Sequence, residues 1–290
     1  MRISLLILFS FFLFSCEKDI DLKLDPSENR LVVDASIENG RPPIVFLSKS
    51  IDYFSKITPE LLAASFVRNA VVSINDGIQE VKLVEDTLTD TNGNKLFYYT
   101  TAPGSMFIGK LKTSYQLKIQ VGAETYTSAT TIPEITRRVD SMWWEKLPFS
   151  EDPKASRIML TATDKPGLGD YIRYYTKVNS GPFLPGFTSV YDDDIIDGKS
   201  YTIPLDKGFD KNEEFVDSLA YFKRGDTVTL KLAQIDKSTY EFWRTYEFSF
   251  QSVGNPFSSP IKIKSNISNN ALGYFGGYAA QYRTLIIPKL

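Results

Sequence analysis

The sequence predicts a mainly β protein, in which an N-terminal immunoglobulin-like β-sandwich is followed by a second β-rich domain with one amphipathic helix. From Arg30 onward, short runs of β-branched and aromatic residues alternate with turn signals, a pattern typical of strands. Aromatic residues make up 13% of the chain, with 20 Phe and 16 Tyr, and such residues favour strands over helices. The 290 residues also suffice for two ordinary domains, which hold about 100–200 residues each.

The first domain is predicted over residues 30–132, where seven short strands match the number and spacing of an immunoglobulin-like sandwich. Asn75-Asp76-Gly77 lies between two of them and predicts a hairpin, because glycine adopts positive φ without steric cost. Residues 58–64 predict one helical turn in a long connection. The predicted strands are residues 30–37, 44–48, 70–74, 79–84, 95–101, 115–121 and 124–131.

The second domain is predicted over residues 137–290. Ile132-Pro133 marks the boundary, because proline lacks the N–H that a central strand donates to its neighbour. The domain has predicted strands at residues 156–163, 171–179 and 226–235, together with long loops at 180–198 and 253–278. Such loops carry binding surfaces when a rigid β scaffold holds them.

The amphipathic helix is predicted over residues 238–251. Ser238 and Glu241 have the spacing of a capping box, in which each side chain accepts a backbone N–H at the start of the helix. Four apolar residues follow at helical spacing and predict a single stripe that faces the core. The alternative is an aromatic platform for a ligand. The stripe consists of Trp243, Tyr246, Phe250 and Val253.

Composition excludes several classes of function. The chain has 33 Lys and Arg against 35 Asp and Glu, and this balance argues against nucleic-acid binding, which needs a concentrated basic surface. It contains no histidine and one cysteine, which rules out Ser-His-Asp and Cys-His catalysis, histidine-ligated metal sites and disulfides within these residues. No phosphate-binding loop, dinucleotide fingerprint or serine elbow occurs. We therefore expect no catalytic residue, no cofactor and no enzymatic activity.

Residues 1–15 have the features of a secretory signal, with Arg2 followed by an apolar run of 12 residues. As a helix this run spans about 18 Å, which is too short for the ~30 Å hydrocarbon core of a bilayer. Leu13, Ser15 and Cys16 resemble the motif that lipoprotein signal peptidase cuts. Acylated Cys16 would then anchor the protein in membrane lipid, since more than one acyl chain anchors stably. The alternative is an ordinary signal with a chance cysteine.

Residues 16–29 are predicted to form a tether. Glu17, Lys18 and Asp19 directly follow the cysteine and resemble the signal that exports some Gram-negative lipoproteins to the outer face of the outer membrane. The alternative is a solvated charged tether on a protein that stays in the periplasm.

The best metal candidate is an acidic loop that contains Asp192, Asp193, Asp194 and Asp197, because calcium prefers several carboxylate oxygens. Ile196 stands where a calcium loop would have its third alternating acid, so a solvated loop is the favoured interpretation and no metal site is predicted.

Three aromatic residues near the C-terminal end, Tyr274, Phe275 and Tyr278, are candidate contacts for a partner protein. They lie among small glycines, and amphipathic tyrosine is enriched at protein interfaces. The alternative is that these side chains complete the core of the second domain. In Trp143-Trp144, a strand would place one ring in the core and leave the other for a sugar, a partner or a domain contact.

Four segments together resemble an uncharacterised lipoprotein family called domain of unknown function forty-two forty-nine. They are residues 16–22, 31–40, 45–50 and 265–276, and the last is the most specific because of its Asn and Gly pattern. The resemblance implies an outer-membrane lipoprotein, commonly encoded beside a TonB-dependent transporter, and it implies no activity or catalytic residue. We therefore expect a binding accessory of such a transporter. A cell-surface adhesin or glycan-binding lipoprotein is the alternative, and a hydrolase ranks third.

Overall fold

The structure is a computed structural model that describes residues 29–51, 55–56, 58–89, 93–211, 221–255, 257–259 and 261–290. The signal segment, the tether, Cys16 and the charged residues Glu17, Lys18 and Asp19 lie outside the described residues. Within them the chain forms sixteen strands and two helices, so the prediction of a mainly β protein is confirmed.

The predicted alternation of buried and exposed residues is clearest in β7, residues 113–121. The side chains of Tyr115, Leu117 and Ile119 point into the protein interior, while the residues between them are exposed. Thr58 caps the first helix by accepting the N–H of Leu61. The elements are β1 Leu31–Glu38, β2 Ile44–Lys49, α1 Pro59–Ser65, β3 Val71–Asn75, β4 Glu80–Lys82, β5 Val84–Thr89, β6 Lys95–Thr100, β7 Thr113–Val121 and β8 Glu124–Ile132.

Several of the remaining strands were not predicted from the sequence, among them β13 and β14, and two others lie in segments predicted as loops. Strand β12 lies within the predicted loop 180–198, and β16 begins within the predicted loop 253–278, so both loops are shorter than expected. The elements are β9 Arg138–Lys146, β10 Ala155–Thr163, β11 Tyr171–Val178, β12 Leu184–Tyr191, β13 Ser200–Leu205, β14 Phe222–Lys223, β15 Thr227–Ile235, α2 Lys237–Gln251 and β16 Leu272–Ile286.

The strands form three sheets. The largest has eight strands in the order β12-β11-β15-β16-β1-β2-β6-β5. Strands β4-β3-β7-β8 form the second sheet, and β13-β10-β14 with β9 beside β10 form the third. The boundary predicted after residue 132 falls between β8 and β9. The eight-stranded sheet nevertheless continues through both predicted domains, because β16 pairs in parallel with β1 and antiparallel with β15.

Three apolar clusters lie against this sheet, of which two separate it from the other sheets and the third lies under α2. The first lies between β1 and β2 on one side and β3 and β7 on the other, with Ile37, Tyr115 and Phe275 fully buried. The second lies between β11 and β15 on one side and β9 and β10 on the other, with Ile158 and Leu230 at its centre. The other face of the central strands is left for α2 and for solvent.

Helix α2 begins earlier than predicted, because its N-cap is Asp236. The Asp236 carboxylate accepts the N–H of Thr239 at 2.8 Å, and its second oxygen accepts the hydroxyl of Thr130 at 2.8 Å. The prediction that Ser238 and Glu241 form a capping box is therefore wrong. Aspartate suits the N-cap better than serine because one of its carboxylate oxygens caps the helix while the other binds Thr130 of β8.

The predicted apolar stripe of α2 is also wrong. Tyr246 and Phe250 are partly exposed and Val253 is 81% exposed, whereas Tyr240, Phe242 and Thr245 face the sheet. Of the four predicted residues, Trp243 packs against the sheet, half-buried. Aromatic residues occur on every side of this helix, so their spacing does not single out the buried side.

Candidate functional site

Alternating side chains of the central strands create a polar and aromatic surface on the side of the sheet that lies under α2. On β1, Val33, Ala35 and Ile37 enter the first core, so Asp34 points to the opposite side. The groups that solvent reaches on this side come from four strands and the helix. They are Asp34, Tyr175, Lys231, Trp243 and Tyr282, and together we call them the aromatic face.

A chain of hydrogen bonds crosses the aromatic face from the helix to β1. Trp243 Nε1 donates to the Tyr278 hydroxyl at 3.0 Å, and Tyr278 donates to the Tyr274 hydroxyl at 3.4 Å. Tyr274 in turn bonds the Asp34 carboxylate. Each group therefore has a defined donor role, and the Asp34 carboxylate, which remains exposed, is the end of the chain.

The Asp34 side chain is accessible to solvent, although protein surrounds its carboxyl group on most sides. Burial raises its pKa, while the hydrogen bond from Tyr274 and the charge of Arg173 act in the opposite direction. Burial also raises the pKa of the Tyr175 and Tyr274 hydroxyls well above their usual value. Both tyrosines therefore keep their protons at neutral pH and can donate hydrogen bonds.

Arg173 supports the aromatic face from beneath. Its guanidinium lies 3.2 Å from the centre of the Trp243 ring and 4.7 Å from that of Tyr175. Its Nε donates to the Ser189 hydroxyl at 3.2 Å, and Ser189 donates to Glu247 at 2.5 Å. This buried network holds both aromatic rings in place through cation–π contacts.

Glu38 fixes the far end of the aromatic face. Its carboxylate accepts hydrogen bonds from Lys231 and from the Tyr282 hydroxyl, and it pairs with Arg41 at 3.0 Å. The Lys231 ammonium lies 5.2 Å from the ring centre of Tyr175. The accessible groups are thus held by buried ones, a preorganised arrangement that lowers the entropy cost of binding.

The three predicted partner contacts are in the interior. Tyr274 is 6% exposed, Phe275 is 0% exposed and Tyr278 is 3% exposed. Their placement as exposed contacts is corrected, because they belong to a strand and not to a loop. Phe275 enters the first core, while Tyr274 and Tyr278 support the aromatic face. Tyr274, Tyr278 and Tyr282 are separated by even numbers of residues, so a strand places all three side chains on one side. This spacing is the feature of the sequence that could have predicted the strand.

The predicted acidic loop is only partly solvated. Asp193 is 0% exposed, and both of its carboxylate oxygens accept the N–H of Gly169 at 3.0 Å. With Asp164 and Asp170 it forms a group whose carboxylate oxygens lie within 4.8 Å of one another. Asp164 also binds Arg137 at 3.1 Å, so two of the three carboxylates already hold the chain together. Asp164 and Asp170 lie more than 20 residues before the loop in sequence, and no local pattern links them to it.

The paired tryptophans of β9 point to opposite sides, as expected for a strand. Trp144 packs against the second core, with the Arg224 guanidinium 4.3 Å from its ring centre. The Trp143 Nε1 donates to Glu145 at 3.0 Å on the other side.

Comparison with known proteins places the chain in a family. The model of a domain of unknown function, DUF4249, matches residues 17–284. No curated protein matches the chain. Within the described residues, neither helix has the length and apolar character needed to span a bilayer. The matched region includes every group of the aromatic face and nearly all of the chain after Cys16, and the chain therefore belongs to the DUF4249 family.

Proposed function

We propose that this protein is a lipid-anchored binding protein of the outer membrane, which faces the cell exterior and serves as an accessory of a TonB-dependent transporter. Its role is binding and not catalysis. The observation that carries the proposal is the aromatic face, in which rings, hydroxyls, a carboxylate and a cation are accessible together. Such mixtures of aromatic surface and a few placed polar groups are typical of ligand sites.

The aromatic face suits a polar ligand that also has apolar surfaces. The rings of Tyr175, Trp243 and Tyr282 offer large contact areas with few rotatable bonds. Asp34 accepts hydrogen bonds, and Lys231 donates them. Because these groups are held by Glu38, Arg173 and the buried tyrosines, little order has to be created when a ligand binds.

The proposed anchor lies close in sequence to one group of the aromatic face, Asp34. Cys16 would be acylated, and the 14-residue tether of residues 16–29 leads into β1, which carries Asp34. A fully extended tether of this length spans at most about 45–50 Å. The face would thus stay close to the membrane, where a shared surface raises the effective concentration of a transporter partner.

The proposal is tested in native membranes by crosslinking with partner identification, combined with growth on the substrate of the neighbouring transporter. We expect the transporter among the crosslinked partners and an uptake defect when the gene is deleted. A double variant, Tyr175→Ala with Tyr282→Ala, should fail to restore uptake, whereas Phe257→Ala, at a side chain 95% exposed and outside the face, should restore it. Absence of both the crosslink and the defect contradicts the proposal.

A glycan-binding or adhesive role is the second candidate, and one observation favours it. Aromatic rings beside a carboxylate can stack on the apolar side of a sugar while Asp34 accepts its hydroxyls. Binding of the detergent-solubilised wild-type protein to a glycan array, lost in the same double variant, would favour this role over a transporter accessory.

We also propose that the first half is an immunoglobulin-like sandwich. In support, β1, β2, β5 and β6 pack across the first core from the antiparallel sheet β4-β3-β7-β8. Sandwiches of this class have two antiparallel sheets and about 100 residues. Strand β16, contributed from the second half, pairs in parallel with β1 at the side of this unit.

A further inference from the structure

A second site lies on the other side of the eight-stranded sheet. A cavity of about 330 Å³ separates β11 and β15 from β10 and β13. Most of its wall is aliphatic, with Leu160, Ile172, Leu230 and Leu232 among the lining residues. Protein interiors seldom leave voids larger than a water molecule, and small-ligand sites begin at roughly 300 Å³. The size and the lining of this cavity are those of a site for a small apolar molecule.

One polar side chain in the cavity wall, Arg137, has only part of its hydrogen-bonding capacity satisfied. Arg137 is 0% exposed and its Nε donates to Asp164 at 3.1 Å. Among the described residues, neither of its two terminal nitrogens has a partner in hydrogen-bond geometry, although the guanidinium is near enough to the Tyr201 hydroxyl, which also lines the cavity, to oppose the rise that burial causes in the pKa of Tyr201. Buried donors are almost always paired in native proteins, and an unpaired one costs stability. Arg137 therefore provides fork-like N–H donors that a bound oxygen acceptor would satisfy.

The charges around Arg137 select the kind of acceptor. Asp164 already pairs with the guanidinium, and the carboxylates of Asp170 and Asp193 lie close to that of Asp164. A second anion at Arg137 would face net negative charge in a poorly solvated place, which is unfavourable. A neutral carbonyl oxygen accepts the same N–H groups without adding charge.

We propose that this cavity binds a small apolar molecule that ends in a neutral carbonyl group, such as a primary amide or an ester, with the carbonyl oxygen accepting the terminal N–H groups of Arg137. The molecule enters beside β13, which is an edge strand of its sheet. Ile195 and Ile203 line the cavity there and are 84% and 44% exposed, so they form its rim. The site is independent of the aromatic face, because Tyr174 lines the cavity while its neighbour Tyr175 points to the opposite side of β11.

The test uses the full-length protein in detergent with three series of straight-chain probes: primary amides, carboxylates and alkanes. Binding is measured by calorimetry at pH 7. Ile203→Trp narrows the cavity from its rim, and Ile78→Trp places the same substitution at a side chain 89% exposed on a distant hairpin. Thermal unfolding of both variants shows whether each remains folded.

We expect a medium-length amide to bind, and the matching carboxylate and alkane to bind at least tenfold more weakly. Ile203→Trp should weaken amide binding at least tenfold, while Ile78→Trp should leave it unchanged. Failure of every amide to bind, or amide binding that is equal in the two Trp variants, would overturn the site. A carboxylate that binds as tightly as the amide would overturn the role assigned to the charges around Arg137. If Ile203→Trp does not fold, Ile195→Trp at the same rim replaces it.

Discussion

Asp34 and Tyr274 lie side by side on adjacent parallel strands, although they stand near opposite ends of the chain. Asp34 belongs to the segment 31–40 and Tyr274 to the segment 265–276, two widely separated segments of the four that resemble the family. Their pairing brings these two segments together, with the Tyr274 hydroxyl beside the Asp34 carboxylate. One segment provides the exposed carboxylate of the aromatic face, and the other places a tyrosine hydroxyl beside it.

Gly273 should be essential for this pairing. Its φ is +95°, and a Cβ at this position would overlap the carbonyl oxygen of Val33 on β1. Gly104 has a similar φ of +80° with nothing within 4 Å of a Cβ, so Gly104→Ala bears only the backbone cost of about 1–2 kcal/mol. We expect Gly273→Ala to lower the free energy of unfolding by at least ~2 kcal/mol more than Gly104→Ala does, because the new Cβ would clash with the Val33 carbonyl oxygen. Chemical denaturation of both variants measures this, and equal losses would contradict the tight β1–β16 contact.

Trp243→Ala should destabilise the protein through lost packing and a lost hydrogen bond. The ring packs against Tyr274 with centroids 4.9 Å apart, and its Nε1 bonds Tyr278. Deletion of a fully buried Trp usually costs ~3–5 kcal/mol, and because Trp243 is half-buried we expect about 2–3 kcal/mol. Phe257→Ala is the control, with an expected change within ~0.5 kcal/mol. A Trp243 variant that melts like wild type would show that α2 does not depend on this contact.

Stability should depend on pH through Asp34. Because burial raises its pKa in the folded state, the native protein holds a proton that the unfolded chain releases above its ordinary value of 3.8. The stabilisation of the folded state by this proton is therefore full below pH 3.8, and it is lost as the pH rises through the pKa of Asp34 in the folded protein. We expect Asp34→Asn to unfold at higher denaturant concentration than wild type at pH 7, with a smaller difference at pH 4.

Asp76 provides a control of the opposite sign. The backbone N–H groups of Gln79 and Ile78 lower its pKa, against a smaller effect of burial, so its contribution is present above 3.8 and is lost as pH falls. Asp76→Asn should therefore destabilise the protein at pH 7. The Asp34 assignment fails if the Asp34→Asn difference is the same at both pH values.

Cys16→Ser should abolish membrane anchoring. Without the thiol no acyl chain can be attached, so the variant either remains uncleaved or is released from the membrane. Ser15→Ala keeps a small residue before the cysteine and should be processed normally. Fractionation of the outer membrane, followed by immunoblotting, compares the two. If Cys16→Ser fractionates with the outer membrane as the wild-type protein does, the lipoprotein assignment is refuted.

Replacement of Glu17, Lys18 and Asp19 by alanine should keep the anchor but leave the protein on the periplasmic side. Protease added to intact cells should then digest wild type and spare the variant, and both should be digested after the outer membrane is opened. Asp21→Ala with Lys23→Ala changes charges farther along the tether and should not alter export. Equal protection of wild type and the triple variant would contradict the topology.

The local features of the fold could be predicted because their causes are local. Strict alternation over residues 115–121 predicted β7, and Asn75-Asp76-Gly77 predicted the turn that joins β3 to β4. Thr58 before Pro59 fitted a short helix. In each case neighbouring residues alone determine the conformation, through side-chain direction, positive φ or a cap.

The aromatic face could not be predicted, since it depends on which strands become neighbours. Tyr175, Lys231 and Tyr282 are aligned by the registers of β11, β15 and β16, and no local pattern specifies those registers. The glycines around Tyr274 favoured a loop in the sequence, but Gly273 and Gly277 instead allow β16 to approach the backbones of Val33 and Thr131.

The central position of β16 has a consequence for how the protein is made. Every other described strand is synthesised before it, yet β1 and β15 both depend on it for a neighbour. Until β16 leaves the ribosome, β1 has an open edge, and an open edge invites pairing with other chains. Contacts between such distant segments also form slowly. The eight-stranded sheet can therefore be completed only after β16 has been synthesised, and until then β1 and β15 each lack one of their two neighbouring strands.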